Sequence, residues 1–189
     1  MTVKCLVIGN GPSKKDYEFI KNFEGIILCV DVTAREIIDI GVIPDYQLFS
    51  ETHETIWKYV LEWLPDNFLD TKIRKNMTVV HRSNVVPGMY NRIGRVKLKS
   101  IVFDTDRYGN ENAINNVGLY SVVFADEYLK ADECYLIGLD YGGWDDLLNR
   151  DYPKELVQNM INSAKHYLNN KTSDMKIIDH SKGNFPIVS

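Results

Sequence analysis

Short apolar runs alternate with longer amphipathic segments along most of the chain. The short runs are rich in β-branched residues and predict β-strands at residues 3–8, 26–30, 46–49, 77–81, 99–103, 134–139 and 175–178. The longer segments have helical spacing of apolar positions and predict helices at residues 14–22, 33–40, 53–64, 115–130 and 151–169. Near-continuous apolar strands that alternate with helices are typical of parallel sheets buried on both faces. The pattern therefore predicts an α/β fold, a doubly wound, mostly parallel, Rossmann-like sheet with helices on both faces.

Composition limits the class of protein. The 189 residues, 44% of them hydrophobic, suit one domain over residues 1–189 with its own core, and no repeat or linker interrupts them. With 22 Lys and Arg against 26 Asp and Glu, scattered along the chain, a nucleic-acid partner is disfavoured. No apolar run approaches the roughly 20 residues that span a bilayer, and the N-terminus lacks a secretion signal. We expect a cytoplasmic protein with no membrane span.

The positions of the three cysteines indicate burial in the core. Cys5, Cys29 and Cys134 each lie within an apolar segment and show no Cys-x-x-Cys spacing. Cysteine is among the residues most often buried. We therefore expect three reduced core residues rather than a disulfide or metal site.

The first predicted strand ends in the turn Gly9-Asn10-Gly11-Pro12-Ser13, which leads into a helix. Ligands of parallel α/β sheets bind beyond the carboxyl ends of the strands, where a helix N-terminus offers free amides to phosphate. Glycine allows close backbone approach, and the Asn10 side chain can hydrogen-bond a ligand. The turn is neither the Gly-x-Gly-x-x-Gly fingerprint nor a P-loop. It predicts a phosphate site, and a tight turn with Ser13 as helix cap is the alternative.

Polar residues follow other predicted strands. Asp31 comes about 20 residues after the turn, where a carboxylate often binds a ribose hydroxyl, and it can equally be a helix N-cap. Glu51 and His53 lie in a polar cluster suited to acceptor binding or proton transfer, with a solvated helix start as the alternative. Asp140 directly follows the apolar run at residues 136–139, at the carboxyl end of a predicted strand, where the ligand-binding crevice of the sheet is expected.

Three further positions complete the candidate set. Asn116 and Gly118 open the helix at residues 115–130, where glycine lets a base or another backbone pack closely; a plain capped helix is the alternative. His180 follows the last strand, and its near-neutral pKa makes it the preferred general base among the histidines. The cluster at residues 104–106 has the oxygen ligands that Mg²⁺ uses, but ordinary turn chemistry is favoured there, and we assign no metal site.

Several of these segments occur together in known proteins: residues 7–13, Asp31 with Ala34, residues 41–46, Val117-Gly118, and residues 136–140. With this set, most of the chain resembles the family of Maf flagellin glycosyltransferases and archaeal 6-hydroxymethylpterin pyrophosphokinases. Bacterial sialyltransferases share a similar Gly-x-Gly-Pro-Ser turn, which binds the nucleotide of a CMP-activated nine-carbon sugar. The resemblance implies a nucleotide-binding, Rossmann-like transferase in which Asn10, Gly11 and Ser13 hold the phosphate or ribose of the donor.

The two branches of this resemblance imply different reactions. The pterin kinases carry Asp-Leu-Asp-Gly after their Pro-Asp, and its carboxylates hold Mg²⁺ for pyrophosphoryl transfer from ATP. The corresponding residues 49–53 read Phe-Ser-Glu-Thr-His here and keep one carboxylate, Glu51. This departure favours transfer of a sialic-acid-like sugar from a CMP donor, with Glu51 and His53 facing the acceptor and His180 or His53 as the base.

Two alternatives stay open at this point. One is a pterin or thiamin-type pyrophosphokinase that uses ATP and Mg²⁺. The other is a nucleotide-binding module without catalysis. The sequence names neither the acceptor, which can be a glycan, a protein or a pterin, nor the oligomeric state.

Overall fold

A computed structural model of the chain describes residues 1–49, 71–83, 99–105, 114, 116–141, 153–181 and 185. The strands within these residues form one parallel sheet: β1 (Lys4–Ile8), β2 (Ile26–Val30), β3 (Tyr46–Phe49), β4 (Thr78–His81), β5 (Lys99–Val102), β6 (Glu133–Ile137) and β7 (Lys176–Asp179). The α-helices are α1 (Tyr17–Lys21), α2 (Thr33–Asp39), α3 (Thr71–Asn76), α4 (Val117–Glu127) and α5 (Lys154–Asn170), and a 3₁₀ helix spans Pro12–Lys15. The predicted α/β, Rossmann-like fold is confirmed.

The order of the strands places the crevice of the sheet. The sheet runs β5-β4-β3-β2-β1-β6-β7, so the chain winds outward from β1 in one direction and returns beside β1 with β6. Ile8 at the end of β1 is in register with Cys29 on one side and Ile137 on the other. In open α/β sheets, ligands bind where the strand order reverses in this way. The turn after β1 and the loop after β6 therefore emerge together at the switch point.

Both faces of the sheet are covered. On one face of the sheet, Cys5 and Val7 of β1 pack with α4 and α5. On the other face, Leu6 and Ile8 pack with Ile20 of α1 and Ile37 of α2. Successive residues of β1 point to opposite faces, which is why an uninterrupted apolar run forms this strand. α4 is buried around most of its circumference from Gly118 to Asp126, so it lies inside the protein.

One predicted helix is divided in the structure. Residues 14–22 were expected as a continuous helix, but the 3₁₀ helix ends at Lys15, and α1 begins after Asp16. The Asp16 carboxylate accepts a hydrogen bond from the Phe19 N–H (3.2 Å) and so caps α1. Ser13 is therefore not the cap of this helix. The other predicted helices and strands that fall on described residues are present, with ends shifted by up to three residues.

Some predictions fall on residues that the structure does not describe. The helix at residues 53–64 and the polar cluster with Glu51 and His53 are among them, so the proposed roles of both side chains stay predictions. The same holds for Asp106.

The three cysteines are confirmed as free, buried residues. Burial is the main cause that raises the pKa of the Cys5 thiol to about 12, and nearby Asp45 adds to the rise. Burial also raises the pKa of Cys29 and Cys134 well above the ordinary value. All three thiols therefore stay protonated at neutral pH. Within the described part of the chain, no helix is long and apolar enough to cross a membrane.

Candidate functional site

The turn after β1 is bonded directly to the loop after β6. The Gly9 N–H donates to the Ile137 carbonyl (2.8 Å), and the Gly11 N–H donates to the Gly138 carbonyl (2.7 Å). A Cβ on Gly9 would overlap the Gly138 backbone, and a Cβ on Gly138 would overlap the Gly9 backbone. Gly138 also has a φ of +71°, in the left-handed region. The two glycines are required because the two backbones touch.

Ser13 and Asp140 brace this junction. Asp140 Oδ2 accepts from the Ser13 N–H (3.1 Å) and from the Ser13 hydroxyl (2.9 Å). Ser13 Oγ in turn accepts from the Gly138 N–H (2.7 Å). A Cβ on Gly11 would collide with the Asp140 carboxylate. The residues predicted to share one site do meet, but the donor groups of Gly9, Gly11 and Ser13 serve the β6 loop.

The side chain of Asn10 lies against α2. Asn10 is buried and accepts a hydrogen bond from the Thr33 hydroxyl in the first turn of that helix. Lys14 is also buried, and its Nζ lies 2.9 Å from Glu36 Oε1 on the same helix. Two contacts therefore attach the turn to α2. No pattern in the sequence marks Lys14 for burial, since a lysine in this kind of segment is ordinarily solvated.

Asp31 ends β2 in a left-handed conformation, with a φ of +43°. It is buried, its N–H donates to the Leu48 carbonyl (3.0 Å), and its carbonyl accepts from Gln47 Nε2 (2.7 Å). Val32, not Asp31, occupies the N-cap position of α2, so the helix-cap alternative is wrong. Gln47 was not predicted as part of this edge, although a glutamine inside an apolar strand is a usable signal.

The N-terminus of α4 reaches the same crevice. Asn116 is its N-cap, and the side-chain oxygen accepts from the Leu119 N–H (2.7 Å). Gly118 packs against the Leu139 side chain, and a Cβ there would lie 2.6 Å from Leu139 Cδ2. The same Leu139 methyl group would lie 2.5 Å from a Cβ on Gly9. The first turn of α4 and the turn after β1 therefore flank one leucine.

Arg82 brings a positive charge to this helix end. Its guanidinium donates to the Ile114 carbonyl, just before α4, and its Cζ lies 5.2 Å from the centre of the Tyr120 ring, a cation–π contact. Arg82 was not among the predicted site residues. A basic residue directly after a strand was the available signal.

His180 is placed at the end of β7. Its N–H donates to the Leu136 carbonyl (2.7 Å), and its exposed ring stacks on Phe19 of α1 at 4.5 Å. The next residue, Ser181, accepts from the Leu139 N–H through its hydroxyl (3.0 Å). The backbone at the end of β7 thus joins the crevice, while the imidazole lies on the α1 side. Its role as a base stays a prediction.

Asp104 links the ends of two strands. Its Oδ1 accepts from the Ser83 N–H (2.8 Å), so this carboxylate orders the loops after β4 and β5. Among the residues described by the structure, no group of three or more His, Cys, Asp or Glu side chains is arranged to hold a metal ion.

A double-mutant cycle can measure the brace between Ser13 and Asp140. We expect Ser13→Ala and Asp140→Ala each to lower the free energy of unfolding by about 2 kcal/mol, because each leaves buried partners unsatisfied. The double variant should lose clearly less than the sum, measured by urea denaturation. Ser100→Ala, which removes a hydroxyl at an exposed position of β5, should cost under about 0.5 kcal/mol. Strictly additive losses would contradict the brace.

Comparison with solved structures supports the fold. The structure of a MAf glycosyltransferase from Magnetospirillum magneticum AMB-1 superposes with a TM-score of 0.65 at 15% sequence identity, over 97% of this chain and 34% of that one. This chain thus spans about a third of the length of that protein. A protein from Lactobacillus plantarum gives a TM-score of 0.42 at 13% identity, over 94% of this chain and 62% of its own, a similarity too low to indicate a shared fold. No curated protein sequence matches significantly.

The sequence itself identifies the family. Residues 2–146, which include β1 to β6 and every residue of the β1–β6 junction, match the family described as 6-hydroxymethylpterin diphosphokinase MptE-like. That description names a transferase, and the Maf structure that shares the fold is also named as one. The chain belongs to the MptE-like family.

Proposed function

We propose that this protein is a nucleotide-dependent transferase, and that it transfers a sialic-acid-like sugar from a CMP-activated donor. The observation that carries the proposal is the convergence of three elements at the switch point: the turn at residues 9–13, the loop at residues 138–140 and the N-terminus of α4. A switch-point crevice beside a helix N-terminus is the usual place for a nucleotide in this class of fold.

In this proposal the donor lies across the crevice with its anionic part toward α4. The turn at residues 9–13 forms the floor, since glycines allow a ligand close to the backbone. Asn116 or Asp31 contacts the ribose or base. Asp140 and Ser13 hold the floor in place through their mutual hydrogen bonds.

The chemistry requires a base and a leaving group. Glu51 and His53 face the acceptor, and His53 or His180 takes the proton of the acceptor hydroxyl. The acceptor oxygen forms a bond to the anomeric carbon, while the bond from that carbon to the phosphate oxygen breaks and CMP leaves with the electron pair. An imidazole suits the first step because its ordinary pKa is near neutrality.

A pterin or thiamin-type pyrophosphokinase is the second candidate, and the description of the family favours it. That reaction would use ATP with Mg²⁺. The single carboxylate of residues 49–53, Glu51, argues against the metal pair that such transfer uses.

Calorimetric titration separates the candidates. We expect CMP and CDP to bind without Mg²⁺, and ATP and 6-hydroxymethylpterin to bind weakly or not at all. Binding of ATP that requires Mg²⁺, with no response to CMP, would reject the glycosyl-transfer proposal. CMP binding with no turnover of any activated donor would instead indicate a nucleotide-binding module without catalysis.

A further inference from the structure

Lys14 carries a positive charge into the interior of the protein, beside the proposed donor site. Its side chain is only 1% exposed, and its Nζ lies 2.9 Å from Oε1 of Glu36, whose side chain is 20% exposed. Lysine is almost never fully buried unless its charge is paired. The removal of two charges from water is costly, and their mutual attraction often does no more than offset this cost. Stability of the fold is therefore not a sufficient reason for this ion pair.

A second polar contact between the turn and α2 accompanies the ion pair. Asn10 accepts a hydrogen bond from the Thr33 hydroxyl, and both of these side chains are buried. Thr33 and Glu36 are three residues apart in α2, so they lie on the same face of that helix. A single contact would allow the two segments to rotate about it, whereas two contacts fix their relative orientation. The turn therefore has a defined orientation against α2.

This attachment relates two segments that the proposed donor would contact. The turn at residues 9–13 forms the floor of the crevice, and Asp31 lies two residues before Thr33, where the chain enters α2. The opposite side of the turn is already bonded to the β6 loop through the Gly9 and Gly11 amides. The contacts with α2 therefore decide where the floor lies relative to Asp31.

We propose that Lys14 and Glu36 are a positioning pair for the donor site, which holds the turn at residues 9–13 against α2 and so increases donor affinity. Neither side chain touches the donor in this arrangement. The inference rests on the proposed function in taking the ligand of the crevice to be a nucleotide-activated donor. Apolar packing has no preferred direction, whereas a charge-assisted hydrogen bond has a defined length and angle, which suits it to this task.

The double variant Lys14→Met/Glu36→Met tests the pair. It replaces both charges by apolar side chains of similar length, so neither charge is left buried alone, and we expect the midpoint of urea unfolding to stay the same or to rise. We expect CMP to bind about tenfold more weakly, measured by calorimetry on the fully folded variant. An ion pair that only stabilised the fold would give the opposite pattern, a lower midpoint with unchanged affinity.

A second variant, Glu36→Gln, keeps a hydrogen-bond acceptor of nearly the same shape and removes only the negative charge. The bond from the Lys14 ammonium to a neutral amide oxygen is weaker than the bond to a carboxylate. We therefore expect Glu36→Gln to weaken CMP binding about threefold, a smaller loss than in the double variant. This variant keeps the inference open to refutation if the double variant does not fold.

Amide hydrogen exchange reports the position of the turn without any ligand. The Gly9 and Gly11 N–H groups donate to the β6 loop at 2.8 and 2.7 Å, so their exchange is slow only while the turn stays in place. In the double variant we expect both amides to exchange about tenfold faster, with the amide of Leu6 in the middle of β1 unchanged.

The control makes the same substitutions in another ion pair. Lys4 and Glu133 join the beginnings of β1 and β6 at 3.7 Å, at the opposite edge of the sheet from the turn, and their side chains are 44% and 25% exposed. Lys4→Met/Glu133→Met should leave the affinity for CMP and the exchange of the Gly9 and Gly11 amides unchanged.

The readouts separate failure of this inference from failure of the proposed function. If the wild type binds ATP in place of CMP, the glycosyl-transfer proposal fails, and the affinities of the same variants for ATP decide the role of the pair. If the wild type binds neither, the proposed function and the effect on affinity are both rejected, and amide exchange still decides whether the pair positions the turn. Wild-type nucleotide affinity in the variants, or wild-type exchange at Gly9 and Gly11, would overturn the inference.

Discussion

Replacement of Gly138 by alanine is expected to cost at least about 3 kcal/mol of folding free energy, enough to unfold much of the protein near 37 °C. The methyl group would overlap the Gly9 backbone, and the residue would have to keep a φ of +71°. Neither strand can move aside, because β1 pairs with β6 along its whole length. The measurement is the midpoint and slope of urea unfolding, with circular dichroism to report the folded fraction.

Two other glycines separate the causes of this effect. Gly41 has a φ of +90° with open space around it, so Gly41→Ala tests the backbone conformation alone and should cost about 1 kcal/mol. Gly9 does not have a positive φ, but its Cα lies against the Gly138 backbone. Gly9→Ala therefore tests the steric overlap between the added methyl group and that backbone alone, and it should cost about 2–3 kcal/mol. A Gly138→Ala variant no less stable than Gly41→Ala would show that the two loops are not in contact.

Stability is expected to fall steeply above about pH 9. Burial holds the pKa of Cys5 near 12, and it raises the pKa values of Cys29 and Cys134 above the ordinary 9.0. In the unfolded chain these thiols lose their protons near pH 9, whereas in the folded protein they keep them. The folded state then binds more protons, so the free energy of unfolding decreases as pH rises. The contribution of Cys5 is complete below about pH 8 and is lost between about pH 9 and 12, and the contributions of Cys29 and Cys134 also decrease as the pH rises above about 9.

The expected slope is large. A thiol that is deprotonated in the unfolded chain but protonated in the folded protein contributes up to about 1.4 kcal/mol per pH unit, and the three thiols act in the same direction. Burial raises the pKa values of Tyr120 and Tyr141 as well, and these hydroxyls add to the loss above about pH 10. Because the total stability of a domain is typically about 5–15 kcal/mol, a loss of this kind should lower the midpoint of urea unfolding measurably above pH 9.

A single substitution tests the cause of this alkaline instability. Cys29→Ala removes one buried thiol and should reduce the slope between pH 9 and 10 by about one third, although it also lowers the stability at pH 7 by about 1 kcal/mol through lost packing. The measurement is urea unfolding at pH 7, 8, 9 and 10. An identical pH dependence in the variant and the wild type would exclude the thiols as the cause.

Much of the architecture follows from local sequence patterns. The apolar run of β1 requires burial on both faces, and its alternation with helices predicts a parallel sheet without reference to any tertiary contact. The turn at residues 9–13 and Asp140 were placed at the carboxyl edge of the sheet by the same logic. The pattern predicts one helix over residues 14–22, whereas the structure divides it at Asp16. An aspartate in such a segment is compatible both with the interior of a helix and with an N-cap, so the local sequence does not locate the division.

The roles of the site residues depended on contacts that no local pattern contains. The sequence by itself determined the fold class, the carboxyl-edge positions and the burial of the cysteines. Only the tertiary structure decided that Ser13 would bond with Asp140, 127 residues away, and that Lys14 would be buried against Glu36. Strand order and register result from the packing of the whole sheet, and they decide which hydrogen-bond donors of the turn at residues 9–13 are used within the protein.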